Sequence, residues 1–266
     1  MQHAIVIAPF EELSDPRTVV DLGVAAESSG WDAVFVWDHV MRDAHETELI
    51  GSATVTMAAL AARTERIRIG AMVTPITRRR PQVFARETIA LDRLSNGRLV
   101  VGLGLGVDRG GELSRFGDIV DPVVRGHRLD EGARLLKELW SGETVDFHGE
   151  HFTADGVRFR PGPIQRPHPP LWFAARGDAD RPVRRAALLG DGIDVIEMTP
   201  ARVREVAELV AEIRGSLDGF DIACPVAPGA DGDEWANTPV TWLMHSFGAT
   251  AGAAEVEHTI LAGPPR

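Results

Sequence analysis

The run LDRLSNGRLVVGLGLGVDRGGELSRFG, residues 91–117, constrains the fold more than any other stretch of this chain. It joins a helix end, a reversal, a buried strand and a glycine-lined turn. Asn96-Gly97, just after Leu94, is a helix stop, because both residues tolerate the left-handed backbone that closes a helix. Leu99, Val100 and Val101 then lead into Gly102, Gly104 and Gly106. An apolar run of this kind, buried on both faces, suits a parallel sheet. Three alternate glycines leave only hydrogens on one face of the strand's end. Either a planar ligand or another backbone approaches closely there, and spacing does not choose between them. The glycines are not a dinucleotide fingerprint: GxGxxG needs a third glycine where this chain has Val107 or Arg109.

A strand-then-helix rhythm runs through the rest of the chain. Apolar runs predict strands over 4–8, 32–37, 67–73, 98–105, 171–175, 193–198, 220–226 and 240–247. Between them, Asp15-Pro16 opens a helix that Gly30 stops, and further helices are predicted over 52–63, 81–94, 125–140 and 181–189. Thr199-Pro200 caps an amphipathic helix with Val203, Val206, Val210, Ile213 and Leu217 on one stripe. Residues 143–170, rich in Pro, Gly and aromatics, break the rhythm and read as a loop or small hairpin excursion. Eight such units predict an α/β fold, a single (β/α)₈ TIM barrel over 1–266. A doubly wound open sheet rarely needs eight units, and no phosphate fingerprint follows the first strand.

The 266 residues are enough for one large domain with a full core. A formal net charge of −11 argues against nucleic-acid and anionic-membrane partners. Arg78-Arg79-Arg80 is the one basic run, read as a solvated loop, with an anion contact as the lesser alternative. Cys224 is the single cysteine; in the apolar FDIACPV run it reads as a small buried hydrophobe. No signal-peptide pattern and no apolar run near the roughly 18 residues of a membrane span is present, so a cytoplasmic location is expected.

In a barrel the active site lies at the C-terminal ends of the strands. Asp38-His39 follows the second strand, where a histidine can shuttle a proton near neutral pH. Asp38 would fix the tautomer of His39 only if the backbone turns between them; a structural pair closing the junction is the alternative. Thr74-Pro75 follows the third strand. Beyond the fourth lie Asp108, Arg109 and Glu112; Arg109 reads either as an anion contact or as an ion-pair partner of Glu112. After the fifth strand, Arg176-Gly177-Asp178 precedes a helix whose N-terminal N–H groups suit a phosphate, although Asp178 is also an ordinary N-cap.

No metal site is expected: the nine histidines form no His-x-His and no HExxH, and His148 and His151 fall in the excursion, where a solvated hairpin is the simpler reading. No Gly-x-Ser-x-Gly elbow occurs, which argues against conventional hydrolase chemistry.

The segments GWDAVFVWDHV, RIRIGAMVTPITRRRPQVFARETIALDRLSNGR, VVGLGLGVDRGGELSRFG, RGHRLDEGARLLKELWSGETVDFHGEHF and PPLWFAARG…RRAALLGDG closely resemble the bacterial luciferase-like family of flavin-dependent oxidoreductases and monooxygenases. LDxLSxGR before a GxGxG strand, with Asp-His after strand two, is specific in combination. The family fold is a (β/α)₈ barrel, in agreement with the count above. The resemblance implies a flavin-type ring, FMN or coenzyme F420, across the barrel mouth. It places His39 and Asp38 beside the ring, with His39 the proton donor or acceptor. Val73 and Thr74, at the end of strand three, would back the ring, and Met72–Val73 is the candidate for a non-prolyl cis peptide. Gly104 and Gly106 would let the ring lie against strand four, and Arg176, Gly177 and Asp178 would hold the phosphate. The substrate would be a small organic molecule, and a homodimer is implied.

The chain departs from the family in being short. Only 228–239 separates strands seven and eight, so the seventh helix should be about a turn, starting at Asp233-Glu234-Trp235. It contains no tyrosine, which leaves His39 or water for any phenolic proton donor. Trp235 and Trp242 suit an interface or a core equally. A non-catalytic flavin-binding protein and a metal-dependent barrel hydrolase are the competing readings.

Overall fold

A computed structural model describes residues 1–43 and 49–265. Its strands are β1 (Gln2–Ile7), β2 (Ala33–Val36), β3 (Arg68–Pro75), β4 (Leu99–Gly104), β5 (Thr144–His148), β6 (Thr153–Arg158), β7 (Leu171–Arg176), β8 (Gly192–Ile196), β9 (Asp221–Val226) and β10 (Trp242–Ser246). Eight of them pair in parallel and close into a barrel in the order β1-β10-β9-β8-β7-β4-β3-β2. The predicted (β/α)₈ barrel is therefore the fold. In this ring β2 and β8 face each other, four steps apart in either direction. β5 and β6 form a separate antiparallel hairpin, which is the excursion expected over 143–170.

The helices are α1 (Pro16–Ser28), α2 (Ala53–Arg63), α3 (Pro81–Leu94), α4 (Pro122–Ser141), α5 (Asp180–Leu189), α6 (Pro200–Arg214) and α7 (Ala253–Ala262). Their starts follow local chemistry. Asp15, Asp121 and Thr199 each precede a proline and accept a hydrogen bond from the first turn. That cap starts α4 at Pro122, three residues before the apolar stripe suggested. Gly215, at φ +86°, ends α6, so Leu217 lies past the helix. Between β9 and β10 stands the short 3-10 turn Asp233–Trp235, as its spacing required. α7, which the apolar pattern left unassigned, packs on α1 and receives the Trp31 indole N–H on the carbonyl of Ile260 at 3.0 Å.

The barrel interior is filled by Phe35, Trp172 and Trp242, whose ring centroids lie 5.6–6.2 Å apart, with Ala4, Val6, Val100 and Met244 around them. It is a packed core. Trp242 and Trp235 are both buried, so they belong to the core of the chain.

The LDxLSxGR motif braces the fold. Arg98 donates to the carbonyls of Ala61, Thr64, Ile67 and Ser95 and to the Thr64 hydroxyl, tying the end of α2 to the start of β3. Asp92, fully buried, accepts from Ile164 N–H at 2.5 Å and from Gln165, which pins the excursion to α3. No helix among the described residues is long and apolar enough to cross a membrane.

Candidate active site at the barrel mouth

Asp38 and His39 follow β2, and their side chains go to different partners. Residues adjacent on an extended segment point to opposite sides. Asp38, 4% exposed, accepts from Arg78 Nη2 and from Arg79 Nη2, each at 2.8 Å. Arg78 Nη2 also donates to the Asp38 carbonyl at 2.7 Å. The expectation of a solvated basic loop is thus corrected. Arg78 and Arg79 lie among three carboxylates: both reach Asp38, Arg78 also reaches Glu112 and Arg79 also reaches Glu87, each guanidinium fork spanning two acids.

Glu112, and not Asp38, orients His39. Its Oε2 lies 3.0 Å from His39 Nδ1, and its Oε1 accepts from Val40 N–H at 2.7 Å and Arg78 Nη1 at 3.2 Å. Burial alone would raise the Glu112 pKa. The hydrogen bond and charge of His39, the Val40 N–H and the Arg78 charge outweigh it and hold the carboxyl below its ordinary value. The alternative pairing of Arg109 with Glu112 is replaced by this network; Arg109 sits exposed on the 3-10 turn Arg109–Gly111. His39 packs beside Phe10 and Trp37, with centroids 5.8 and 6.1 Å away, and its Nε2 has no protein partner among the described residues. A cavity of about 420 Å³ lined by Val40, Arg78, Arg79, Glu112, Phe116 and Asp118 adjoins the network.

The glycine-lined end of β4 is accounted for largely by packing. A Cβ on Gly102 would lie 2.3 Å from the Ala71 carbonyl oxygen, and one on Gly104 2.5 Å from Val73 Cγ2. A Cβ on Gly106, whose φ is +73°, would lie 2.8 Å from Pro75. The glycines make room for β3 and its side chains. The Met72–Val73 peptide bond is cis, as the resemblance implied, and Thr74 is buried at the end of β3.

At the β7–α5 turn, Arg176 pairs with Glu197 and is largely exposed. Gly177 has φ +64° with open space where a Cβ would stand, but its N–H donates to the Ile196 carbonyl at 3.2 Å. The cap position of α5 is Ala179, which offers no side-chain hydrogen bond. Asp178 is therefore not the N-cap. Arg202 holds the turn from α6 through the Asp178 carbonyl and the Asp180 carboxylate.

Cys224 is buried, and burial pushes its thiol up to about 12, consistent with an inert packing role. His148 pairs with Asp155 on the exposed hairpin. His127, Glu150 and His151 bring candidate ligand atoms within 4.8 Å of one another, a convergence of α4 with the hairpin that spacing did not reveal.

The chain is 35% identical to the F420-dependent glucose-6-phosphate dehydrogenase of Gordonia bronchialis over 183 residues, covering 68% of this chain and 53% of that protein. The enzyme of the same name from Rhodococcus erythropolis is 36% identical over 179 residues, covering 66% and 52%. The chain thus spans about half the length of the curated relatives it matches. Among solved structures, an F420-dependent secondary alcohol dehydrogenase bound to an F420–acetone adduct superposes with a TM-score of 0.75 at 22% identity, over 99% of this chain and 84% of the other. The oxygenating component of the 3,6-diketocamphane monooxygenase of Pseudomonas putida, with FMN, gives 0.71 at 15% identity, over 87% and 68%. The barrel is the shared feature. The model of the luciferase-like monooxygenase family matches residues 3–259, and the chain belongs to that family.

Proposed function

We propose that the chain is an oxidoreductase that holds a flavin-type ring, coenzyme F420 or FMN, across the C-terminal mouth of the barrel and acts on a small organic molecule. The observation that carries this reading is the His39–Glu112 contact: a histidine fixed through Nδ1 at a strand end, with Nε2 available to a ligand. The residues fit such a group. Gly177 leaves open space where a Cβ would stand, the N-terminus of α5 has no side-chain cap, and the Asp180 carboxylate in its first turn is neutralised by Arg202. In this reading Arg176, Gly177 and Asp178 line the phosphate end. Val73, Thr74, Gly104 and Gly106 form the wall behind the ring, and Arg109 stands at the rim for an anionic part of the ligand. Asp38 keeps Arg78 and Arg79 in place beside His39, and His39 donates or accepts the proton at Nε2.

When bound, F420 supplies hydride transfer, whereas FMN supplies hydride transfer and oxygen activation. The F420-dependent naming of the relatives in Gordonia and Rhodococcus makes the deazaflavin the first cofactor to test. The barrel over 1–266 acts as one unit, with the excursion pinned to it by Asp92. Glu131 adds to this by accepting from the N–H groups of His151 and Phe152. A homodimer fits the exposed apolar side chains of Phe116, Ile119, Val120 and Val123, which a second copy would cover.

Fluorescence titration of the purified protein with F420 and with FMN tests the assignment. Selective binding of F420 marks a hydride-transferring dehydrogenase or reductase, and selective binding of FMN a monooxygenase or FMN reductase. Binding of neither at tens of micromolar, roughly the weak end for a cofactor, overturns the reading.

A further inference from the structure

Across the barrel from His39, β8 carries a buried acid with an unpaired carboxylate oxygen. Ile193 and Val195 of β8 pack outward into the core under the helices, so Asp194 between them points into the barrel. It is 3% exposed, and its Oδ1 makes no hydrogen bond. Asp221, at the other end of β9, shows the usual state of a carboxylate in this barrel: it accepts from the Thr241 hydroxyl at 2.9 Å and the Trp242 indole at 3.1 Å. A buried polar atom left unpaired in a packed core needs a ligand, a water or a proton to account for it.

The level of Asp194 in the barrel is fixed by register. It stands beside Ala174 of β7, whose Cβ lies 3.9 Å from the place a Gly104 Cβ would occupy, where Val73 also packs. Asp194 therefore lies level with the wall of Val73 and Gly104, on the strand opposite β2.

We infer that Asp194 is a ligand-binding residue of the barrel mouth, presenting its carboxyl O–H to an uncharged carbonyl or hydroxyl oxygen of the molecule held between it and His39. This rests on the reading of the mouth as the binding site. Burial drives its pKa up to about 7, opposed in part by the positive charge of Arg176 on β7. On β9 the residue in register with Asp194 is the uncharged Ala223, and the neighbouring Cys224 thiol, turned to the outer core, stays neutral at this pH. Glu197, just past the end of β8, is paired with Arg176. Below neutrality the group is a neutral acid that donates; once ionised it repels an acceptor oxygen. The same property disfavours an anionic substrate group at this spot.

The test compares the wild type with Asp194→Asn, which keeps a donor of the same shape, and Asp194→Leu, which has none. Each is titrated with F420 and with FMN from pH 6 to 8.5, with His39→Gln run alongside to separate titration of the histidine. For the wild type, affinity should fall on the order of tenfold across that range, the scale of one hydrogen bond. Asp194→Asn should hold the low-pH affinity throughout, and Asp194→Leu should bind weakly at every pH. The infrared band of the protonated carboxyl should shift when the cofactor is added to the wild type and be absent from Asp194→Asn. If the cofactor curves of the three proteins coincide while KM for a small alcohol or ketone follows the same pattern, the acceptor oxygen belongs to the substrate and the inference stands. Coincident curves in both assays overturn the role of Asp194 and leave the cofactor reading intact. A wild type that binds neither cofactor overturns both.

Discussion

Glu112 meets His39 at 3.0 Å across 73 positions of sequence, and it is the contact that turns a histidine at a strand end into an oriented one. On the proposed role of His39, removing the imidazole removes the atom that carries the proton. His39→Ala should lower kcat by about 10²–10⁴-fold, the usual range for a general acid or base, and change cofactor affinity much less. Glu112→Gln should give a smaller loss of kcat, about tenfold. Steady-state rates alongside cofactor titration separate the two effects.

Glu112 also ties stability to acid pH. Its folded pKa lies below the unfolded value of about 4.3, so its contribution is present above that value and fades as pH falls through the lower folded one. Chemical denaturation of the wild type from pH 6 to 3 should show stability declining in the acid limb. Glu112→Gln should be less stable near neutrality, because Arg78 and Val40 lose a charged acceptor, and its acid limb should be flatter.

Asp194 has the opposite sign. With a folded pKa of about 7 and an unfolded one of about 3.9, the folded state holds the extra proton between those values. Stability associated with this group is therefore greatest in acid and is lost as pH rises to about 7. Asp194→Asn should be more stable than the wild type by about 2–4 kcal/mol at pH 8, a gap that closes toward pH 4. Denaturant midpoints at the two pH values read this directly, and an equal gap at both would contradict it.

The packing of β4 on β3 gives a steric test. A methyl on Gly104 would stand 2.5 Å from Val73 Cγ2, so Gly104→Ala should destabilise by about 1–3 kcal/mol. Val73→Ala in the same chain should recover part of that loss, a coupling that a double-mutant cycle measures.

Arg98 spans the end of α2 and the start of β3 with five acceptors from Ala61, Thr64, Ile67 and Ser95. Arg98→Ala should lower the melting temperature by several degrees, on the order of 2–3 kcal/mol, since buried carbonyls lose their donor. Cofactor affinity, measured below the transition, should stay within a few-fold of wild type, because the brace lies at the N-terminal end of the barrel strands.

The sequence by itself determined the order of the elements and hence the barrel. Local chemistry decides where a helix starts or stops, as at Asp15-Pro16, Asn96-Gly97 and Thr199-Pro200, and apolar runs mark strands wherever they lie. It also placed His39 at a strand end, since the strand map fixes which residues follow each strand. Tertiary structure alone decided what those residues touch. Arg78 and Arg79 look like a basic surface run until the barrel brings Asp38 beside them. Glu112 and His39 become neighbours only because the loops after β2 and β4 converge. The spacing of the β4 glycines does not say what lies against them; the fold brings Val73 and Pro75 into that space. Asp194 looks like any acid on a strand; only the closing of the ring puts it inside, opposite β2, with Oδ1 unpaired. Strand and helix boundaries are settled by interactions a few residues long, whereas charge pairing and burial at the mouth depend on contacts across the whole ring.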